Sequence, residues 1–177
     1  MIEVYFEVVQ SQERHFLMSR QETLVAVAMN AWNTNIERAE KFFFNLSEEQ
    51  LNVEVAPGKN RLIYLWGHFT AVHDGMLPLL DFGPRLYPQY EALFIKSPDK
   101  AAKNLPSIEE LKNSWTEVTA KLSEGLAKLN TNDWLAKHTA VSVEDFAKNP
   151  LRNRFAILLS RTNHVSYHLG QAVLASK

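Results

Sequence analysis

The stretch Pro106-Ser107-Ile108-Glu109-Glu110-Leu111, continuing to Leu129, decides the fold. Ser107 and Glu110 stand at the spacing of a capping box: the hydroxyl takes an orphan N–H of the first helical turn, and the carboxylate reaches back to the cap. Behind this start, Leu111, Trp115, Val118, Leu122, Leu126 and Leu129 recur at three- and four-residue steps. That period draws one apolar stripe along a helix, and such a stripe has to be buried against other helices.

The neighbouring segments supply those helices. From about Arg20 to Asn45, Leu24, Val27, Ala28, Ala31, Trp32, Ala39, Phe42 and Phe43 keep the same period and predict a long first helix. Ser47-Glu48-Glu49-Gln50 matches a second capping box, and Val55 to Asn60 carries turn residues. A second long helix is expected from about Arg61 to Leu80. Pro78, Gly83, Pro84 and Pro88 then break the pattern, so Asp81 to Pro106 reads as a long connection between helices 2 and 3. It carries one short helical piece around Tyr90 to Ile95, and its length suits a crossover between non-adjacent helices.

Downstream, Asn130 to Lys148 is mixed and polar, and Val141-Ser142-Val143 is expected to pair briefly as a strand. Asn149-Pro150 offers a cap and a first-turn proline for a last helix running to about Ala175. The fold class expected is all-α, a four-helix bundle in a single domain over residues 1–177. Residues 1–19 form an N-terminal extension in which Ile2, Val4, Phe6 and Val8 alternate like a strand, and an appended helix is equally permitted.

With 46% hydrophobic and 22% charged residues, the 177-residue chain can bury a core, and with no cysteine it has neither disulfides nor thiolate ligands. Nineteen Lys and Arg against 20 Asp and Glu leave a formal charge of -1, which gives no electrostatic drive toward nucleic acid or an anionic membrane. The N-terminus has no basic region of a secretory signal, and no stretch approaches the roughly 20 apolar residues of a membrane span. A cytoplasmic location is expected. Phosphate loops and nucleophile elbows are absent from the sequence. Trp32, Trp66, Trp115 and the run Phe42-Phe43-Phe44 suit the core or a dimer contact.

Without cysteine any metal must be held by His, Asp or Glu, and the histidines carry a ligand spacing. His164 and His168 are four residues apart on the last helix, so both rings lie on one face, roughly 6 Å apart along the axis. Such a pair can chelate one ion, and a catalytic site needs a third ligand, here from a facing helix. The second helix offers His68 and His73. Five residues separate them, about 140° around the helix, so one ion takes only one of them. Against the stripe of Leu62, Leu65, Trp66, Phe69, Val72, Met76 and Leu80, His73 lies within roughly 50° of the centre and His68 at roughly 90°. The stripe favours His73. The flank position of the His164/His168 pair, on the order of 120° from its own stripe, matches His68 instead. His15 and His138 stand alone without ligand spacing.

Leu65-Trp66-Gly67-His68-Phe69 and His164-Val165-Ser166-Tyr167-His168-Leu169-Gly170-Gln171 together resemble the paired signatures of the DinB/YfiT-like superfamily, over roughly residues 20 to 175. The resemblance implies a four-helix bundle, usually a homodimer, with a divalent metal site on His68, His164 and His168 completed by water. Zinc or nickel are the expected ions, with iron or manganese also open. His73 has a counterpart in some members and is expected near the site. Gln171 and Arg161 share the face of His164: Gln171 is a candidate for hydrogen-bonding a ligand side chain or a small-molecule substrate, and Arg161 for meeting an anionic substrate. Characterised members transfer low-molecular-weight thiols to electrophiles, so the resemblance implies a thiol-dependent S-transferase. A hydrolase using metal-activated water and a non-catalytic metal-binding or stress-response bundle are the alternatives.

Overall fold

The computed structural model describes residues 18–102 and 104–175. The strand-like alternation of Ile2 to Val8 and the lone His15 lie outside the described residues.

The first and third long helices start at capping boxes, while the second has no side-chain cap at Arg61. In α1, Arg20–Phe44, the Ser19 hydroxyl accepts from the Glu22 N–H and the Glu22 carboxylate accepts from the Ser19 N–H at 2.7 Å. Its buried residues are Ala28, Trp32, Ala39 and Phe43. Leu24 and Val27, counted in the apolar stripe of the sequence, are instead 65% and 64% exposed. They stand to one side of the Trp32–Phe43 line, a displacement that three- and four-residue spacing does not reveal.

Helix α2, Leu62–Asp74, is shorter than its sequence pattern, and a separate turn, Met76–Leu79, follows it. Gly75 marks the break. A Cβ there would crowd the Arg85 guanidinium, whose Nη1 donates to the Ala71 carbonyl at 3.0 Å. The Asp74 carboxylate accepts from the N–H groups of Leu86 and Tyr87, so the connection is tied back onto the end of α2.

That connection contains Gln89–Glu91 and a π-helical turn, Ala92–Lys96, where the sequence places one short helical piece. Helix α3, Ile108–Leu126, opens on the Ser107–Glu110 capping box and buries Leu111, Trp115, Val118, Leu122 and Leu126. Between α3 and the last helix, Ser142 caps a short helix, Val143–Lys148, so the expected strand at 141–143 does not form. Asn149 closes that short helix. Helix α4, Arg154–Ala175, begins later than the Asn149-Pro150 signal, and the Asn153 side chain accepts from the Ala156 N–H at its start.

Two apolar clusters show how the helices run. One gathers Phe43 of α1, Leu65 and Trp66 of α2, Leu111 and Trp115 of α3, and Val165 and Leu169 of α4. The other gathers Trp32, Met76, Leu77, Val118, Leu122 and Leu158. Within these clusters α1 and α4 oppose the direction of α2, while α3 runs with it. Two parallel helices cannot be joined by a tight turn, which is why a long segment separates α2 from α3. The described residues are all-helical, with two isolated antiparallel bridges, Glu54 to Arg61 and Lys137 to Asn153, and no strand.

Candidate metal centre

Gly67 and His68 occupy the middle of α2. A Cβ at Gly67 would overlap the Phe94 ring, so the absence of a side chain lets the π-helical turn pack directly on the helix. That close approach brings the Phe94 carbonyl within 2.8 Å of His68 Nδ1. A carbonyl only accepts, so Nδ1 of the neutral ring carries the proton and Nε2 presents a lone pair.

Helix α4 supplies the other two rings from one face. His164 and His168 have ring centroids 4.7 Å apart, and those of His68 lie 5.0 and 5.5 Å from them. His68 Nε2 is 3.0 Å from His164 Nε2. His168 Nδ1 meets Gln171 Oε1 at 2.8 Å, which turns its own Nε2 outward. One ligand atom from each ring lies within 4.8 Å of the other two, and no carboxylate belongs to the group.

All three rings are half-buried. Burial pushes the pKa of His68 below the ordinary value, opposed by the Phe94 carbonyl and assisted by the charges of His168 and Arg161. Burial, then His68, His168 and Arg161, take His164 down to about 4. Neutral imidazoles are the form that binds a cation. The donor set therefore fits a divalent metal ion: three lone pairs converge with the outer nitrogens of two rings already fixed.

A family model of the DinB superfamily matches residues 31–172, a span that includes all three histidines. The chain belongs to the DinB superfamily. A search of curated proteins finds no match.

In this DinB-superfamily chain, His73 stands apart from the cluster. It is fully buried, with Trp32 at 5.0 Å, Trp115 at 5.4 Å and Phe69 stacked at 6.4 Å between ring centroids. Neither ring nitrogen has a hydrogen-bond partner among the described residues, and burial, aided by the charges of His164, Arg161 and His68, lowers its pKa to about 3. The apolar stripe correctly places His73 inward, but inward here is the junction of the two core clusters. Phe69, 6.0 Å from both His164 and His168, separates it from the candidate site.

Gln171 supports His168, as its helical position allows. Arg161 lies one turn before His164 and is half-buried, with its Nε buried and unpartnered. His138 lies away on the segment before α4, and the expected aromatic core holds: Trp32, Trp66, Trp115 and Phe43 are buried. The Phe94 carbonyl was not foreseeable from residue types. The one signal for it is Gly67, since an isolated glycine inside a helical pattern often marks a close approach. The open cleft lined by Arg61, Lys100 and Ser107 includes none of the three histidines.

Proposed function

We propose that this chain is a metal-dependent enzyme of the DinB/YfiT-like type, a four-helix bundle in which His68, His164 and His168 hold one divalent ion. The observation that carries this reading is the convergence of three imidazole nitrogens within 4.8 Å, two of them oriented by outer hydrogen bonds. Imidazole donors suit zinc or nickel, and iron or manganese also accept them. A bound ion would supply Lewis acidity, lowering the pKa of a thiol or water that reaches it.

The reaction proposed is transfer of a low-molecular-weight thiol to an electrophile. One S–C bond forms, the bond from that carbon to its leaving group breaks with the electron pair, and the thiol proton passes to solvent. The chain's own part is to keep His68 and His164 neutral, to fix His68 through Phe94 and His168 through Gln171, and to exclude water from beneath by the Phe69 ring. Among the described residues no carboxylate stands in the cluster as general base, which favours a nucleophile activated by lowered pKa over one activated by proton abstraction. Residues 1–177 are proposed to form a single domain, with a homodimer covering some of the apolar residues exposed on α1 and α4, such as Leu24, Val27 and Leu159.

The test is turnover of a chlorinated aromatic electrophile by metal-loaded protein, with and without added thiol, for the wild type and His164→Ala. Thiol-dependent turnover lost in the variant supports the reading. Hydrolysis of an activated ester without thiol would replace it with the hydrolase. A loaded protein inert in both assays would leave a non-catalytic bundle.

A further inference from the structure

Arg161 is a cation that the fold buries without neutralising. Arg61 is paired with Asp99 at 2.7 Å, and Arg85 lies near Glu91. Arg161 has no hydrogen-bond or ion-pair partner among the described residues, its Nε is buried, and burial alone lowers its pKa. Arg154 also has an unpartnered Nε, but it stands at the start of α4, almost three turns from His164. Arg161 is one turn away, and its charge is felt by His68, His73 and His164.

The charge balance of the site is one-sided. The imidazoles supply no negative charge, no carboxylate belongs to the cluster among the described residues, and Arg161 adds a positive charge beside any divalent ion. An unpaired, partly desolvated guanidinium is costly unless a ligand supplies its counter-charge, and its planar fork matches two oxygens of an oxyanion.

We propose that the substrate of this site carries an oxyanion, a carboxylate in the simplest case, which Arg161 holds while another group of the same molecule reaches His68, His164 and His168. This assignment rests on the metal-site reading above and names the class of molecule that the site accepts. The guanidinium acts as a specificity residue: it selects anionic over neutral molecules and fixes their orientation along α4.

The experiment is calorimetric titration of the full chain, zinc-loaded and metal-free, with 3-mercaptopropionate and with its methyl ester. It compares the wild type, Arg161→Gln and Arg161→Lys, with zinc content measured for each. The zinc-loaded wild type binds the acid at least about tenfold tighter than the ester, the gain expected of a charged hydrogen-bonded pair. Arg161→Gln keeps its zinc and its affinity for the ester and loses most of that ratio, while Arg161→Lys, charged but without the fork, keeps part of it. An acid-to-ester ratio unchanged in Arg161→Gln that still binds zinc overturns the role of Arg161 and leaves the metal site standing. A protein that takes up no zinc, yet shows an acid preference abolished by Arg161→Gln, overturns the metal reading and sustains the anion site.

Discussion

His68 Nε2 lies 3.0 Å from His164 Nε2, although 96 residues separate the two in the chain. With the His68 proton committed to the Phe94 carbonyl, a neutral His68 cannot donate across this gap. Either His164 donates to it, or both lone pairs face a common cation. The His168 ring, 4.7 Å from that of His164 and turned by Gln171, adds the third donor and favours the cation.

Removing the support of His168 should weaken the site without dismantling it. Gln171→Ala is expected to lower zinc affinity about 10–100-fold, with little change in thermal stability of the metal-free protein. Competition with a chromogenic chelator measures it, and an unchanged affinity would separate Gln171 from the site.

Two glycines make opposite predictions. Gly67→Ala drives a Cβ into the Phe94 ring and should cost about 1–3 kcal/mol by overpacking, while loosening the carbonyl that orients His68. Gly170→Ala, with open space around the new methyl on α4, should stabilise by about 0.5–1 kcal/mol. Denaturant unfolding of both variants checks the pair.

His73 links stability to pH. Its folded-state pKa is about 3, below the ordinary 6.5 of the unfolded chain. Between these values the unfolded chain takes up a proton that the folded one refuses, so stability falls as pH drops from 6.5 toward 3 and levels off below. The limiting slope from this one group is about 1.4 kcal/mol per pH unit. His73→Phe should flatten the profile over that window and match or exceed the wild type at pH 7, since it replaces two unpartnered nitrogens with a ring of similar shape. Parallel profiles for the two proteins would contradict this account of His73.

Metal retention carries its own pH signature. Because the pKa of His68 is lowered and that of His164 lies near 4, protons should not compete with the ion for these two rings at the usual histidine pH. Retention is expected to show no step from His68 or His164 near pH 6.5, both rings taking up protons only in more acid solution, as NMR titration of the metal-free protein would follow. Protonation of both rings already half complete at pH 6.5 or above would show that His68 and His164 titrate as ordinary histidines.

The legibility of this molecule follows what sequence period reports. The stripe from Leu111 to Leu126 and the Ser107 cap are local, so α3 was readable almost to its ends, and the four-residue step from His164 to His168 placed both rings on one face. Period measures burial, however, and burial is not proximity to a site. It put His73 close to the centre of the apolar stripe, and the structure buries it there, among Trp32, Phe69 and Trp115. The cluster sits on the flank, and the Gly67-His68 motif of the resembled family pointed there where the stripe could not. Contacts made across the chain were out of reach: Phe94 over Gly67, Arg85 in the space at Gly75, and the choice of Asn153 over Asn149 as the start of α4.

The most direct test is metal content by plasma mass spectrometry on untagged wild type, His68→Ala, His164→Ala and His73→Phe, each loaded with zinc and desalted. The account predicts stoichiometric metal in the wild type and His73→Phe, and its loss from His68→Ala and His164→Ala. A wild type that holds no metal, or a set in which His73→Phe loses the ion while His68→Ala keeps it, would contradict the three-histidine centre.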